Sequence, residues 1–225
     1  MAVNITHFLS SVNIRPKNIS LYETAFTHKS FGNEKKVTNN ERLEFLGDAV
    51  LELLVTEFLY KTFPHLQEGI MTALRSSAVR KESLANLAKK IKLGSIIQLS
   101  KGERHGHKKD YILANTVEAL LGAVYLDRGM RETKKFLATF LFPEIIIAEK
   151  NKNYIGPKSR FQEWAQAEKI ITPHYDLISS SGPDHAKIFV MAVFLQDEKI
   201  AEGSGNSKQD AEQNAAKNAL SFFKV

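Results

Sequence analysis

The sequence contains no cysteine, which excludes disulfide bridges and thiolate metal sites and leaves any bound metal to oxygen or imidazole ligands. A reducing compartment suits such a chain. It also lacks any run of 18 uncharged apolar residues, and its first residues, MAVNITHFLSSVNIRPKN, show no basic start followed by a long apolar stretch. Neither export nor membrane insertion is expected, and a cytoplasmic location is.

What is present is a chain of 225 residues, 43% hydrophobic, enough for one large domain or two modest ones with real cores. Its formal charge of +6 and pI of 9.3 favour an anionic partner such as nucleic acid. Residues 1–150 carry 22 Lys and Arg against 16 Asp and Glu, whereas residues 151–225 carry 9 against 9. Nucleic-acid binding by the C-terminal part would therefore depend on the placement of a few groups.

The stretch Asn40–Leu59, NERLEFLGDAVLELLVTEFL, organises the rest. Leu43, Leu46, Val50, Leu53, Leu54 and Phe58 recur at helical spacing and no proline interrupts them, so one buried helix is expected. At about 100° per residue, Glu41, Glu44, Asp48 and Glu52 share a sector of roughly 80°. Carboxylates aligned along a largely apolar helix repel one another and cost desolvation, which cations or basic partners would offset. A divalent metal is the simplest offset, and a solvated acidic face is the alternative.

From Ile5 to about Ile147 the periodic segments read as helices, with joints at Pro16, Pro64, Gly69, Gly94, Gly102 and Gly106. Ser20–His28 is expected to be a helix capped by Ser20, and Gly32–Asn39 a polar loop leading into the acidic helix. Glu68–Lys92 divides into two helices, with Arg75, Arg80, Lys81, Lys89 and Lys90 as exposed basic points or a solvated charged face. The basic, glycine-bearing run Lys101–Tyr111 reads as a loop in which His105 and His107 suit phosphate or solvent contact better than metal. Ile112–Leu126 follows as a helix burying Leu113, Val117, Leu120, Leu121 and Val124. Asn115 and Glu118 lie three apart on it and share a face; a polar pair on a second apolar helix is what a metal site between helices requires.

A domain boundary is expected in the polar stretch ending at Gly156–Pro157, giving a first domain over 1–150, a linker over 151–156 and a second domain over 157–225. About eight flexible residues would span roughly 15 Å on average. In the second domain a helix starts at Pro157, three strands cover Tyr175–Ser180, Lys187–Gln196 and Lys199–Ser204, and a last helix is capped by Ser207. Phe189, Met191 and Val193 alternate inward on the middle strand. The fold class is thus a mainly α N-terminal domain plus a small α+β C-terminal domain of order α-β-β-β-α.

Asn40–Leu51, NERLEFLGDAVL, closely resembles the signature of the ribonuclease III family, and Ile112–Asp127, ILANTVEALLGAVYLD, resembles its second conserved stretch. Residues 155–225 resemble a double-stranded-RNA-binding domain, with Pro157-Lys158 and Gln162-Glu163 in the first helix, Gly182-Pro183-Asp184-His185 in a loop, and Gly203–Ala216 at the last helix. The resemblance covers almost the whole chain.

It implies a helical ribonuclease III bundle for catalysis and dimerisation, followed by an RNA-binding domain. The activity implied is a homodimeric, metal-dependent endonuclease that cuts double-stranded RNA to leave 5′-phosphates and short 3′ overhangs, in rRNA and mRNA processing. The metal ligands it implies are Glu44, Asp48, Asn115 and Glu118, the catalytic acids Asp48, Glu118 and, beside the site, Glu41. Oxygen ligands suit Mg²⁺, with Mn²⁺ as a substitute, and such ions can activate water and stabilise the leaving oxygen. No small-molecule cofactor is implied. Glu52 falls outside the catalytic set and reads as structural or solvent-facing. Phe45 is either a core residue or a dimer contact. RNA contacts are implied for Gln162, Glu163 and His185 in the minor groove and for Ser207 and Lys208 at the phosphates.

The chain departs from the family pattern where Asn115 stands in place of Asp, removing one negative charge from the ligand set. A tolerated variant, a variant that needs more metal, and a catalytically weakened double-stranded-RNA-binding regulator are the three readings. The first two are favoured because Glu44, Asp48 and Glu118 remain. Gln209 also replaces a basic residue often found after the serine-lysine pair, so weak binding by the isolated module is expected.

Overall fold

Asn39 and Asn40 set the course of the acidic helix before it begins. The Asn40 backbone N–H donates to the Thr27 carbonyl at 2.9 Å, the Asn40 carbonyl accepts from Glu44 N–H at 2.9 Å, and the Asn39 side chain accepts from Glu41 N–H at 3.1 Å. A donor left free in the first turn is thereby satisfied, and the entry of the helix is tied to the preceding segment. The computed structural model describes residues 5–103, 109–152, 154, 156–183 and 186–224. The chain divides into two units between Asn151 and Lys152.

The first unit holds α1 (Ile5–Ser11), α2 (Ile19–Ala25), α3 (Lys29–Lys35), α4 (Glu41–Thr62), α5 (Glu68–Val79), α6 (Lys81–Lys90), a short turn of 3₁₀ helix at Leu93–Ser95, α7 (Lys109–Phe140) and α8 (Phe142–Lys150). The helix expected from Ser20 starts one residue earlier, because Asn18 supplies the cap by accepting from Ser20 N–H. The expected loop over Gly32–Asn39 is partly helical. His28 accepts from Ser30 N–H and so caps α3, which ends in a left-handed Lys36. Of the loop expected at Lys101–Tyr111, α7 already includes Lys109–Tyr111, and His105 and His107 lie outside the described residues. No helix among the described residues is long and apolar enough to cross a membrane.

The centre of this unit is the pairing of α4 with α7. Leu51, Leu54, Val55 and Leu59 on α4 and Ala114, Val117, Leu120 and Leu121 on α7 are fully buried, and two glycines let the backbones meet. A Cβ added to Gly47 would fall 1.7 Å from the Glu118 carbonyl oxygen, and one on Gly122 would fall 2.3 Å from that of Leu43. This close approach turns the Gly47–Val50–Leu54 side of α4 inward. Leu53, expected in the core, is instead rotated out to 57% exposure, and Leu46 and Phe58 are only partly buried. Phe58 stacks on Phe142 of α8 at 4.0 Å between ring centroids. Helix α7 bends at Gly129, whose φ of 77° is not helical and suits a residue without a side chain. Just before the bend, Asp127 accepts from the backbone N–H groups of Lys17 and Asn18 and from the Tyr22 hydroxyl at 2.8–2.9 Å. That fastens the start of α2 to α7, and burial together with Asp127 pushes the Tyr22 phenol well up.

The second unit runs α9 (Pro157–Lys169), β1 (His174–Ser181), β2 (Ile188–Leu195), β3 (Glu198–Gly205) and α10 (Lys208–Phe223). The strands form one antiparallel sheet in the order β1-β2-β3. Phe161 and Ala165 of α9, Val193 and Leu195 of β2, and Ala215, Ala216, Ala219 and Leu220 of α10 make its core. The alternation expected on β2 holds at Met191 and Val193 but fails at Phe189, which is half-buried, while the intervening Ala192 is also fully buried. Gly203 lies against α10 so closely that a Cβ would meet Ala215 N at 2.1 Å. The Ser207 side chain accepts from Asp210 N–H at 3.1 Å and caps α10 as expected.

Candidate active site

Because α4 and α7 touch through glycines, the side chains beside the contact are brought to a common opening. Glu44 and Asp48 from α4 and Asn115 and Glu118 from α7 line one cavity of about 580 Å³, together with Glu41, Phe45, Lys81 and Tyr111. Glu118 is almost fully buried, with 4% of its side chain exposed, and Asn115 is buried at 7%. Glu44 is half-buried and Asp48 exposed.

Burial and the neighbouring charge of Lys81 act on Glu118 and Glu44 in opposite senses. Burial pushes the Glu118 carboxyl above its ordinary 4.5; a hydrogen bond and ion pair from Lys81 pull it back, and the charges of Asp48 and Glu44 add to the rise. Burial likewise raises Glu44, opposed by Lys81 and by a hydrogen bond with Asn115. Both groups therefore bind protons more readily in the folded chain than in the unfolded one, and the stability this contributes is present below 4.5 and lost as pH rises through the raised values. In metal-free protein the stability contributed by these two carboxyls is expected to fall as pH rises above 4.5 and through their raised values. Glu118→Gln should flatten that slope, as read by calorimetry in chelator.

The two outer acids of the stripe have cation partners of their own. Glu41 is about half exposed and faces Lys29 at 3.5 Å, at the edge of the cavity. Glu52 lies one turn too far along and pairs with Arg75 at 3.1 Å, which accords with a structural role. Phe45 is 82% exposed, so the core reading of that residue does not hold. It starts an apolar stripe along the outer side of α4 with Ala49, Leu53 and Tyr60.

The residue that sequence patterning missed is Lys81, read there as an exposed basic point. It opens α6 immediately after the extended Arg80, and this junction turns its side chain into the cavity. Its ammonium donates to Asn115 Oδ1 at 2.7 Å and to the two carboxylate oxygens of Glu118 at 3.0 and 2.8 Å. No spacing signal tied it to residues more than 30 positions away. Among the described residues no three His, Asp or Glu side chains stand close enough together to hold an ion as they are placed. The donor set nevertheless fits a hard divalent cation: three carboxylates and an amide oxygen, with no sulfur or imidazole, already drawn to one cation on two of their members.

In the second unit, Gln162 and Glu163 are exposed side by side on α9, and Lys208 is exposed at the start of α10 beside the capping Ser207. His185 lies outside the described residues. Lys158 is drawn away from solvent by Glu212 at 2.6 Å and lies 4.6 Å from the centre of the Tyr175 ring.

Comparison with known proteins assigns both parts. Residues 18–145 match the family described as ribonuclease-III-like, and residues 157–222 match the double-stranded RNA binding motif, which defines the class as a nuclease domain joined to an RNA-binding one. Ribonuclease 3 of Streptococcus equi subsp. zooepidemicus is 44% identical over 218 residues, covering 94% of each chain, and that of Campylobacter concisus is 42% identical over 226, covering 98% of this chain and 99% of its own. The nuclease domain of ribonuclease III from Campylobacter jejuni is 38% identical with a TM-score of 0.58, covering 61% of this chain and 96% of that domain. The chain belongs to the ribonuclease III family of double-stranded-RNA endoribonucleases.

Proposed function

We propose that this endoribonuclease is metal-dependent and that Glu44, Asp48, Asn115 and Glu118 hold its divalent ion, Mg²⁺ in the first instance and Mn²⁺ as a substitute. The observation that carries this reading is the meeting of two carboxylates from α4 with an amide and a buried carboxylate from α7 in one cavity. When bound, a divalent ion supplies charge against the phosphate and lowers the pKa of water, the two needs of phosphodiester hydrolysis. Glu118, buried and costly to ionise, anchors the inner side of the set, while exposed Asp48 faces the side from which a phosphate enters. Glu41 acts from the rim beside them.

The catalytic and dimerisation domain is assigned to 1–150, the linker to 151–156 and the duplex-binding domain to 157–225. Gln162, Glu163 and His185 are assigned to the minor groove of A-form RNA and Ser207 and Lys208 to its phosphates. Exposed Gln162, Glu163 and Lys208 and the free N–H groups of the capped α10 support this reading. A homodimer through the Phe45, Ala49, Leu53 and Tyr60 stripe would cover apolar surface that a lone protomer leaves in water. Processing of structured rRNA and mRNA in the cytoplasm, with cuts leaving 5′-phosphates and short 3′ overhangs, completes the reading. A defined RNA hairpin incubated across a Mg²⁺ series, with both product ends mapped, tests it; intact RNA at all Mg²⁺ concentrations would overturn it.

Asn115 sharpens the metal reading. Its amide oxygen accepts from Lys81 at 2.7 Å, so it stays in the donor set without the charge of an aspartate. Asn115→Asp is expected to lower the Mg²⁺ concentration for half-maximal cleavage by about tenfold, since affinity follows the charge of the ligand set. Parallel Mg²⁺ titrations of both proteins check this, and an unchanged midpoint would contradict it.

A further inference from the structure

The three contacts of Lys81 with the donor set have a consequence of their own. Its ammonium touches both carboxylate oxygens of Glu118 and the amide oxygen of Asn115, all within 3.0 Å. Among the described residues it is the one cation paired with any of the four ligand side chains: Lys29 pairs with Glu41, Arg80 with Glu82 and Arg75 with Glu52. Glu118 is nearly buried and faces the charges of Glu44 and Asp48, so without a cation its ionised form would be left uncompensated, which is strongly unfavourable. Lys81 itself is not buried. Its side chain is 45% exposed and its ammonium lies 5.6 Å from the centre of the Tyr111 ring at the cavity mouth.

A flexible four-carbon stem carrying a compact charge can withdraw to water at little cost, which a planar guanidinium in a fixed fork cannot do as readily. We propose that Lys81 is a tethered counter-ion that occupies the metal-facing oxygens of Glu118 and Asn115 and must leave them for a divalent ion to bind, so that it sets the metal concentration at which the site loads. This inference rests on the assignment of Glu44, Asp48, Asn115 and Glu118 as metal ligands. Lys81 stabilises the protein at rest and competes with the metal.

The test is Mn²⁺ binding to the full-length, RNA-free protein, followed by the electron paramagnetic resonance signal of the free ion, with thermal unfolding in chelator measured alongside. Lys81→Met is expected to bind Mn²⁺ about tenfold more tightly than wild type, because the competing charge is gone. In chelator it should melt several degrees lower, roughly 3–6 °C, for the same loss of compensation, and saturating Mn²⁺ should close that gap. Lys81→Gln, which keeps a neutral donor toward Glu118, should shift affinity in the same direction and serves where the Met variant does not fold. Lys81→Arg, whose fork leaves a carboxylate less readily, should bind Mn²⁺ more weakly than wild type. Equal or weaker Mn²⁺ binding by both neutral variants, with wild type binding normally, would overturn the counter-ion and leave the metal ligands standing. No Mn²⁺ binding by any of the proteins would overturn both.

Discussion

Glu118→Gln is expected to reduce cleavage of duplex RNA by at least about 10³-fold at saturating Mg²⁺, the scale of losing one fixed electrostatic contact to a transition state in a water-poor site. Binding of the same duplex should stay within about twofold, because the phosphates that dominate affinity are met elsewhere. Glu118 is the most buried of the four carboxylates that line the cavity, so no water can take over the position proposed for it toward the ion. Glutamine keeps the shape and a partner for Lys81, and only the charge is lost. Single-turnover cleavage and gel-shift titration on one hairpin separate the two effects. Cleavage within tenfold of wild type would show that the buried carboxylate does not take part in the reaction, and equal loss of binding and cleavage would point to misfolding.

The second large effect lies in the backbone. Gly47→Ala places a methyl group 1.7 Å from the Glu118 carbonyl oxygen, a contact that no rotamer change can relieve because both partners are helix backbone. Helices α4 and α7 must separate by more than an ångström, at a cost at the upper end of overpacking, about 3 kcal/mol or more. For a unit of this size the melting temperature should fall by about 10 °C. Since α4 carries Glu44 and Asp48 and α7 carries Asn115 and Glu118, the same displacement should reduce cleavage by about 10²-fold in the fraction that stays folded. Gly69→Ala is the control within the same protein, for nothing lies within 4 Å of its added Cβ. It should be neutral or stabilising by up to about 1 kcal/mol. Calorimetry of both variants against wild type reads the contrast, and equal behaviour would show that the close helix approach is not needed.

What could be read from the residues follows the reach of each signal. Period and capping are local, so α4, the two helices over Glu68–Lys92, the three strands and the Ser207 cap were legible from a few neighbouring positions. Where a stronger local partner competes, the reading slipped: Asn18 displaces Ser20 as a cap, and His28 starts a helix where polar residues suggested a loop. The acidic stripe named the right side of α4 but could not tell Glu44 from Glu52, because that difference depends on Arg75 of α5 drawing the second one away. Leu53 and Phe45 were misjudged or left open for a related reason. Periodicity marks apolar faces without saying which one meets α7, and the answer lies in the glycines, which carry no hydrophobic signal. Lys81 was out of reach altogether, since its value comes from the turn at Arg80 that aims it across the unit at Asn115 and Glu118.

The most direct measurement is anomalous diffraction from crystals of the full-length protein equilibrated with Mn²⁺. A single strong peak is expected between α4 and α7 at a coordination distance of about 2.0–2.2 Å from oxygens of Glu44, Asp48, Asn115 and Glu118, with the Lys81 ammonium no longer on Glu118. A peak bound elsewhere, or none in that cavity at saturating Mn²⁺, would contradict the assignment of these four residues as the metal-binding centre of the nuclease.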